Sequence, residues 1–133
     1  MLKKKYGFTL IEVLAVVVIV GVLAGLAIPS YFNTVEEARA NEARVNLQII
    51  RAGQKVFALN DANKNYWNPG TNPAVATINS TLNVDITTQF YDVTSITADN
   101  AATPKTFTAT ATRNATQGGN GRTITINEDG DFG

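Results

Sequence analysis

A long apolar run near the N-terminus, from Phe8 to Pro29, limits the possible folds of this chain more than any other feature. As a helix it would be about 33 Å long, at about 1.5 Å per residue, which is enough to cross a bilayer core of about 30 Å. The run is apolar on every side, unlike a helix that lies with one stripe on a globular core. We therefore expect residues 8–29 to span a membrane once.

Two simple interpretations of the run leave something unexplained. A secretory signal peptide would account for the lysines at positions 3–5 and for a small-x-small site at Gly25-Leu26-Ala27. The run is longer than the usual apolar region of about 7–15 residues, however, and an acid interrupts it. A plain membrane anchor with cytoplasmic lysines fits the length and the positive-inside rule. It gives no reason for the acid.

That acid is Glu12, the only charged residue within the run. A carboxylate in hydrocarbon costs a few kcal/mol, so acids inside membranes are usually paired and functional. The run holds no partner, because no cation occurs between Lys5 and Arg39. A cut between Gly7 and Phe8 would create an α-amino group at the right depth. On a neighbouring copy, that amine could pair with Glu12, and a dry environment would strengthen the pair.

The residues around Glu12 resemble the N-terminal signature of type IV prepilins and pseudopilins. A short basic leader ends in Gly7, Phe8 follows the cut, Glu12 is the fifth residue after it, and Pro29 stands in an Ala-Ile-Pro context. The resemblance covers residues 1 to about 55. It implies removal of residues 1–7 by prepilin peptidase, N-methylation of Phe8, and assembly in which Glu12 neutralises a neighbour's amine.

The resemblance also implies a place and a set of partners. The chain is expected in the bacterial inner membrane before assembly, and then in an extracellular pilus or a periplasmic pseudopilus. Its partners would be copies of itself in a helical filament, prepilin peptidase and an inner-membrane assembly platform. Gly21, Gly25 and Pro29 are poor helix formers, and pilin helices can lose regularity in such a segment when they pack in the filament. Equally, small residues there can simply let helices pack closely.

The composition changes after Ser30, and the helix is expected to continue to about Asn60 as an amphipathic helix. Apolar residues recur at intervals of three, four and seven, and polar side chains lie between them. This predicted stripe consists of Val35, Ala38, Val45, Ile49, Ala52, Val56 and Leu59, with Ala43, Ile50 and Phe57 beside it. Residues 60–70 are dense in turn formers. Tyr66 and Trp67 within them are expected to cap the core.

Three later segments alternate between apolar and polar residues as strands do: Phe90–Thr97, Thr106–Thr112 and Thr123–Asn127. Glycines between the last two predict a hairpin connection. Residues 75–86 fit either a short helix or a strand. The expected fold is α+β and pilin-like. A long N-terminal helix, with a protruding hydrophobic half (8–29), belongs with a globular domain (30–133) in which its amphipathic half packs on three or four antiparallel strands.

The composition removes several kinds of chemistry. The chain has no cysteine and no histidine, so Cys/His zinc sites, Ser-His-Asp catalysis and disulfides are impossible within it. Many type IV pilins close a C-terminal loop with a disulfide, and this chain departs from them there. No cofactor and no enzymatic activity are expected. The rest of the chain, without the lysines at positions 3–5, has eight basic and eleven acidic residues, so nucleic-acid binding is not indicated.

One weak metal candidate remains near the C-terminus. Asn127, Asp129 and Asp131 place oxygen atoms at alternate positions, as the start of a calcium loop does, but the loop's later glutamate is absent. A simple turn at Asp129-Gly130 is the favoured interpretation.

The predicted function is that of a structural subunit of a type IV pilus-like filament, serving adhesion, motility or DNA uptake. The alternative within the family is a pseudopilin of a type II secretion system. A membrane-tethered binding module and a secreted enzyme are the rivals from other classes.

Overall fold

The fold, described by a computed structural model for residues 7–117 and 119–133, is α+β as predicted. One helix dominates the chain, and four strands follow it. The helices are α1 (Leu10–Asn60) and α2 (Val75–Leu82), and a 3₁₀ turn covers Ala115–Gln117. The strands are β1 (Gly70–Thr71), β2 (Tyr91–Asp99), β3 (Thr106–Arg113) and β4 (Thr123–Asn127).

The four strands form one antiparallel sheet in the order β1-β2-β3-β4. The prediction for β4 is confirmed at both ends, and those for β2 and β3 hold within two residues. β1 was assigned to a turn instead, since a two-residue strand has no alternating pattern to detect. The uncertain region 75–86 contains α2. The predicted end of α1 near Asn60 is confirmed.

A β-bulge at Thr94 changes which side chains of β2 face the core. Tyr91 and Val93 are buried, but the register against β3 shifts between Val93 and Ser95, and Ile96 is the next buried residue. An extra residue in one strand is the defining feature of a bulge. Strict alternation along β2 was therefore an incomplete prediction.

The predicted apolar stripe of α1 was wrong in most of its members. Val45, Val56 and Leu59 are more than half exposed. The helix buries a different stripe in the core, made of Ala40, Ala43, Leu47, Ile50, Gly53, Gln54 and Ala58. This buried stripe packs with apolar residues of α2 and the sheet, among them Ile78, Ile96, Phe107 and Ile126.

The reason for the difference is that α1 carries apolar residues on two of its faces. Small residues let a helix approach its neighbours closely, and the core of this protein uses that face. At Gly53, an added Cβ would lie 2.8 Å from Val84 Cγ1 and 2.9 Å from Leu82 Cβ. The bulkier residues were more conspicuous in the sequence, but their face is turned to solvent in this structure.

Side-chain amides hold the irregular segments in place. The buried amide of Gln54 accepts from Trp67 N (2.9 Å) and donates to Trp67 O (2.8 Å). The side-chain amide of Asn100 likewise accepts from Tyr66 N (2.8 Å) and donates to Tyr66 O (2.9 Å). The Tyr66 ring packs against Phe107 with ring centroids 4.9 Å apart. The expectation that the loop 66–67 caps the core is thus confirmed.

Both edges of the sheet are short or covered. β1, at one edge, has only two residues. At the other edge, Thr125 exchanges both of its backbone hydrogen bonds with Gly133, and Ile126 is bridged to Phe132. A very short edge strand and a covered edge both limit pairing with another strand.

The chain divides into two units, one ending at Glu37 and the other running from Ala38 to Gly133. The second unit contains all the buried residues among those described. The predicted boundary at 29/30 was drawn from hydropathy, and it stays a prediction.

Candidate assembly site

The start of α1 is closed by a capping box. Thr9 is the residue before the first helical residue, Leu10, and Glu12 lies three residues after it. The Oε2 atom of Glu12 accepts hydrogen bonds from Thr9 N (2.7 Å) and Thr9 Oγ1 (2.8 Å). In return, Glu12 N donates to Thr9 Oγ1 at 3.3 Å. Reciprocal bonding of this kind satisfies backbone donors that a helix N-terminus otherwise leaves open.

The capping box fixes the Glu12 side chain but uses only one of its carboxylate oxygens. All of the hydrogen bonds to this group go to Oε2, and Oε1 has no partner in the described part of the chain. A carboxylate can accept about four hydrogen bonds. Glu12 is thus held in a defined position, at the positive end of a helix dipole, with capacity for another donor.

Thr9 was missed as a functional residue. The sequence contained the signal, a Thr-x-x-Glu spacing directly before an apolar run, which is a helix start pattern. The two residues that the sequence singled out for assembly, Phe8 and Glu12, have no hydrogen bond to each other among the described atoms. The structure links Glu12 to Thr9 instead.

Gly7 and Phe8 lie in non-helical chain just before α1. Both are exposed, Phe8 to 86%, and an added Cβ at Gly7 would meet no atom within 4 Å. The other residues of the predicted leader, 1–6, lie outside the described residues.

The first part of α1 presents a continuous apolar surface. Every residue from Gly7 to Thr34 is exposed. Among the described residues, α1 is the one helix with the length and composition to cross a membrane. A soluble domain rarely exposes an apolar surface of this extent, so such a surface marks contact with a membrane or another protein.

The three positions expected to loosen α1 are helical here. The helix runs unbroken through Gly21, Gly25 and Pro29. A Cβ at either glycine would meet no other atom within 4 Å. Loss of regularity on packing with other helices stays a prediction.

The weak calcium candidate forms a turn. The Oδ1 atom of Asn127 accepts from the backbone N–H groups of Asp129 (3.1 Å), Gly130 (2.9 Å) and Asp131 (2.8 Å). Arg51 of α1 donates to the carbonyls of Glu128 (3.0 Å) and Asp129 (2.7 Å), which ties the turn to the helix. An oxygen that already receives three donors is a poor metal ligand. Over residues 7–117 and 119–133, no group of three acidic side chains could hold a metal ion.

Comparison with known proteins gives matches centred on this N-terminal segment. Residues 2–28 match the family described as the prokaryotic N-terminal methylation motif. The chain is 43% identical over 51 residues to the type IV major pilin protein PilA of Myxococcus xanthus, which covers 38% of this chain and 23% of the relative.

Two further relatives are type II secretion system core protein G. The chain is 34% identical over 59 residues to that of Pseudomonas aeruginosa, covering 44% of this chain and 42% of the relative. It is 31% identical over 75 residues to that of Escherichia coli, covering 56% and 49%. In each case the match spans less than half of the relative's length. No solved structure matches the chain at a comparable level.

Proposed function

We propose that this chain, which carries the prokaryotic N-terminal methylation motif and is related to type IV pilins and to type II secretion core protein G, is a structural subunit of a type IV pilus-like filament. Copies of the chain would associate through the exposed apolar half of α1, residues 8–29, in contacts that replace those with lipid.

The observation that carries the proposal is the state of Glu12. Its carboxylate is held by Thr9 through Oε2, while Oε1 has no partner in the described residues. The chain offers no cation between Lys5 and Arg39. A cation supplied by another molecule would account for both observations. In the proposal, prepilin peptidase cuts after Gly7, Phe8 is N-methylated, and its amine on a neighbouring copy donates to Oε1 of Glu12.

The exposure of the chain around the cut supports this processing. Gly7 and Phe8 precede the helix and are exposed, so no described residue covers the bond that a peptidase would cut. Before assembly the subunit would sit in the inner membrane, where an assembly platform would extract it. Bending at Gly21, Gly25 and Pro29 would then let packed helices adapt to one another.

A pseudopilin of a type II secretion system is the second candidate. It is favoured by the relatives, since the matches to core protein G cover 42% and 49% of those proteins, against 23% of PilA. The two functions predict different phenotypes on deletion. Loss of long surface fibres in electron micrographs would indicate a pilus, and loss of protein export with no change in fibres would indicate a pseudopilus.

The decisive variant is Glu12→Gln. The glutamine keeps an oxygen that can accept from Thr9, so the helix start is preserved, but it removes the charge. We expect normal processing, accumulation in the membrane and few or no filaments, counted by electron microscopy. Glu37→Gln, a matched change at an exposed position outside the apolar segment, should assemble normally. Wild-type filament numbers with Glu12→Gln would contradict the proposal.

Mass spectrometry of the N-terminus of the cell-derived protein tests the processing separately. The proposal requires a first residue at methylated Phe8. A protein that begins at Ile28 would point to signal-peptidase cleavage, and an intact Met1 would point to a membrane tether.

A further inference from the structure

A cleft with a volume of about 460 Å³ lies beside the C-terminal end of α1. Its size is within the range of small-molecule pockets, about 300–1,000 Å³. The walls combine apolar residues with lysines from α1, from the loop that follows it and from the residue just before β3. The lining consists of Lys55, Ala58, Leu59, Lys64, Tyr66, Pro104 and Lys105.

The distribution of lysine is the first unusual feature of the cleft. Residues 30–133 contain three lysines, at positions 55, 64 and 105, and all three line it. The same segment has eight basic and ten acidic residues. No acidic residue is part of the lining. Positive charge is therefore concentrated in this cleft, although the domain as a whole is acidic.

Two of the three ammonium groups donate hydrogen bonds to neutral atoms. Lys64 Nζ donates to the Leu59 carbonyl at 2.8 Å. Lys105 Nζ donates to the Asn63 carbonyl and, at 2.6 Å, to Asn65 Oδ1. Lys55 has no hydrogen bond in the described part of the chain. None of these lysines is within ion-pair distance of a described carboxylate, although Lys64 and Lys105 interact electrostatically with Asp61 over a longer distance.

Asp61 is the acidic residue in the loop that follows α1, and its carboxylate bonds the backbone of that loop. Its Oδ2 atom accepts from Asn63 N and Asn65 N, both at 3.0 Å. The carboxylate thereby shapes the loop that carries Lys64, and it does not enter the lining of the cleft.

Lys64 adopts a backbone conformation that disfavours lysine. Its φ is +57°, in the left-handed region where glycine and asparagine are the preferred residues. Asparagines stand on both sides of it in the sequence. The Lys64 backbone N–H donates to the Asp61 carbonyl at 3.0 Å and so closes a turn after α1, while its ammonium group donates to the Leu59 carbonyl. In this conformation lysine has a cost that glycine or asparagine would reduce. Strain of this kind is often found at functional sites.

We propose that this cleft binds a small organic monoanion, a carboxylate on an aromatic or hydrocarbon body. The body contacts Leu59, Tyr66 and Pro104, and the carboxylate lies among the three ammonium groups. Leu59 is 68% exposed in the free chain, so a ligand there removes apolar surface from water. An apolar floor with a few converging charges is the usual composition of such pockets.

The test is a titration of the full-length chain in nanodiscs of neutral lipid. Phenylacetate is the probe, and its uncharged isostere phenylacetamide and inorganic phosphate are the comparisons. Lysines are observed by NMR after ¹³C-methylation, which preserves their charge, and the lysines at positions 3–5 serve as an internal reference. We expect saturable shifts at Lys55, Lys64 and Lys105 with phenylacetate, and little response to the other two compounds.

Variants separate binding from folding. Lys55→Gln removes a charge that makes no hydrogen bond, and Lys64→Gly removes a charge while relieving the backbone. Each should weaken phenylacetate binding about fivefold, with no loss of thermal stability. Arg122→Gln, which removes a positive charge outside the cleft, should bind as wild type does. The proposal would be overturned if phenylacetamide or phosphate shifted the lysine signals as much as phenylacetate does. It would also be overturned if Arg122→Gln weakened phenylacetate binding as much as Lys55→Gln or Lys64→Gly.

Discussion

The Gln54 side chain shows how much a single polar residue can do inside this small core. It lies on α1 and is fully buried, and its amide bonds both the N–H and the C=O of Trp67. Asn79 bonds Ile86 in the same way, at 3.0 and 3.1 Å. A buried polar group is acceptable when it is fully bonded and costly when it is not. These amides thus hold loops whose backbone is not bonded within a helix or a strand.

Replacement of Gln54 by leucine should destabilise the domain. The two backbone groups of Trp67 would lose their partners, at a cost of about 2–4 kcal/mol in the free energy of unfolding. Gln48→Leu is the matched control, because Gln48 lies exposed on the same helix, and it should change that free energy by no more than about 0.5 kcal/mol. Chemical denaturation of both variants makes the comparison. Equal, small effects would contradict the role given to the amide.

Asp61 gives the domain a defined response to acid. The backbone N–H of Asn65 is the main cause that lowers the pKa of this carboxyl below its ordinary value of 3.8, and Asn63, Lys105 and Lys64 act in the same direction. A lowered folded-state pKa means that the stabilisation is complete above the unfolded-state pKa. It is lost as the pH falls through the folded-state pKa.

The thermal stability of the wild type should fall as the pH drops below about 4, and Asp61→Asn should make this fall smaller. The measurement is the unfolding midpoint as a function of pH for wild type and variant. Asp85→Asn, at an exposed carboxylate that accepts no hydrogen bond in the described part of the chain, should leave the profile of the wild type intact. An unchanged profile for Asp61→Asn would show that the loop does not depend on this charge.

At the scale of elements, α1 serves two purposes along one continuous helix. Its first part is apolar and exposed on all sides, whereas its second part buries a stripe of mainly small residues. The small stripe allows α2 and the chain after it to lie against Gly53. The contact is tight enough to leave no room for a methyl group.

Gly53→Ala should consequently destabilise the domain, although alanine is the better helix former. The new Cβ would have to displace Leu82 and Val84, which we expect to cost about 1–3 kcal/mol in the free energy of unfolding. Gly21→Ala on the same helix, where a Cβ meets nothing within 4 Å, should leave domain unfolding unchanged. Stabilisation by Gly53→Ala, seen in thermal melts, would mean that the contact is looser than the structure describes.

The sequence predicted the elements better than it predicted their packing. The end of α1 and the bounds of β4 followed from turn formers and from strict alternation, which are local signals. The bulge at Thr94 and the choice of the Ala43 face over the Val45 face depend on what packs opposite, which periodicity alone does not contain. At the N-terminus, the cleavage and assembly roles of Gly7, Phe8 and Glu12 follow from the resemblance and stay predictions, while the capping role of Thr9 needed the hydrogen-bond geometry.

At the scale of the whole molecule, the buried core is confined to the second unit. Every buried residue among those described lies at Ala40 or later in the chain. The exposed apolar half of α1 therefore adds nothing to that core. In the proposed function, folding stability and assembly therefore depend on different parts of the chain.

A fragment that begins at Ser30 should fold without the apolar half of α1. We expect it to be soluble, to unfold within a few degrees of the full chain in detergent, and to form no filaments. Circular dichroism and light scattering provide the measurements. An unfolded fragment would show that the first part of α1 supports the domain, and assembly of the fragment would contradict the role given to residues 8–29.

The blunted sheet edges have a consequence for subunits that are held close together. At the local concentrations of a fibre, an open β-strand would invite cross-pairing between neighbours and irreversible clumping. The brevity of β1 and the return of residues 131–133 along β4 reduce the backbone that is available for such pairing. In the proposed filament, neighbouring copies would therefore be joined through their α1 helices and not through pairing of their sheets.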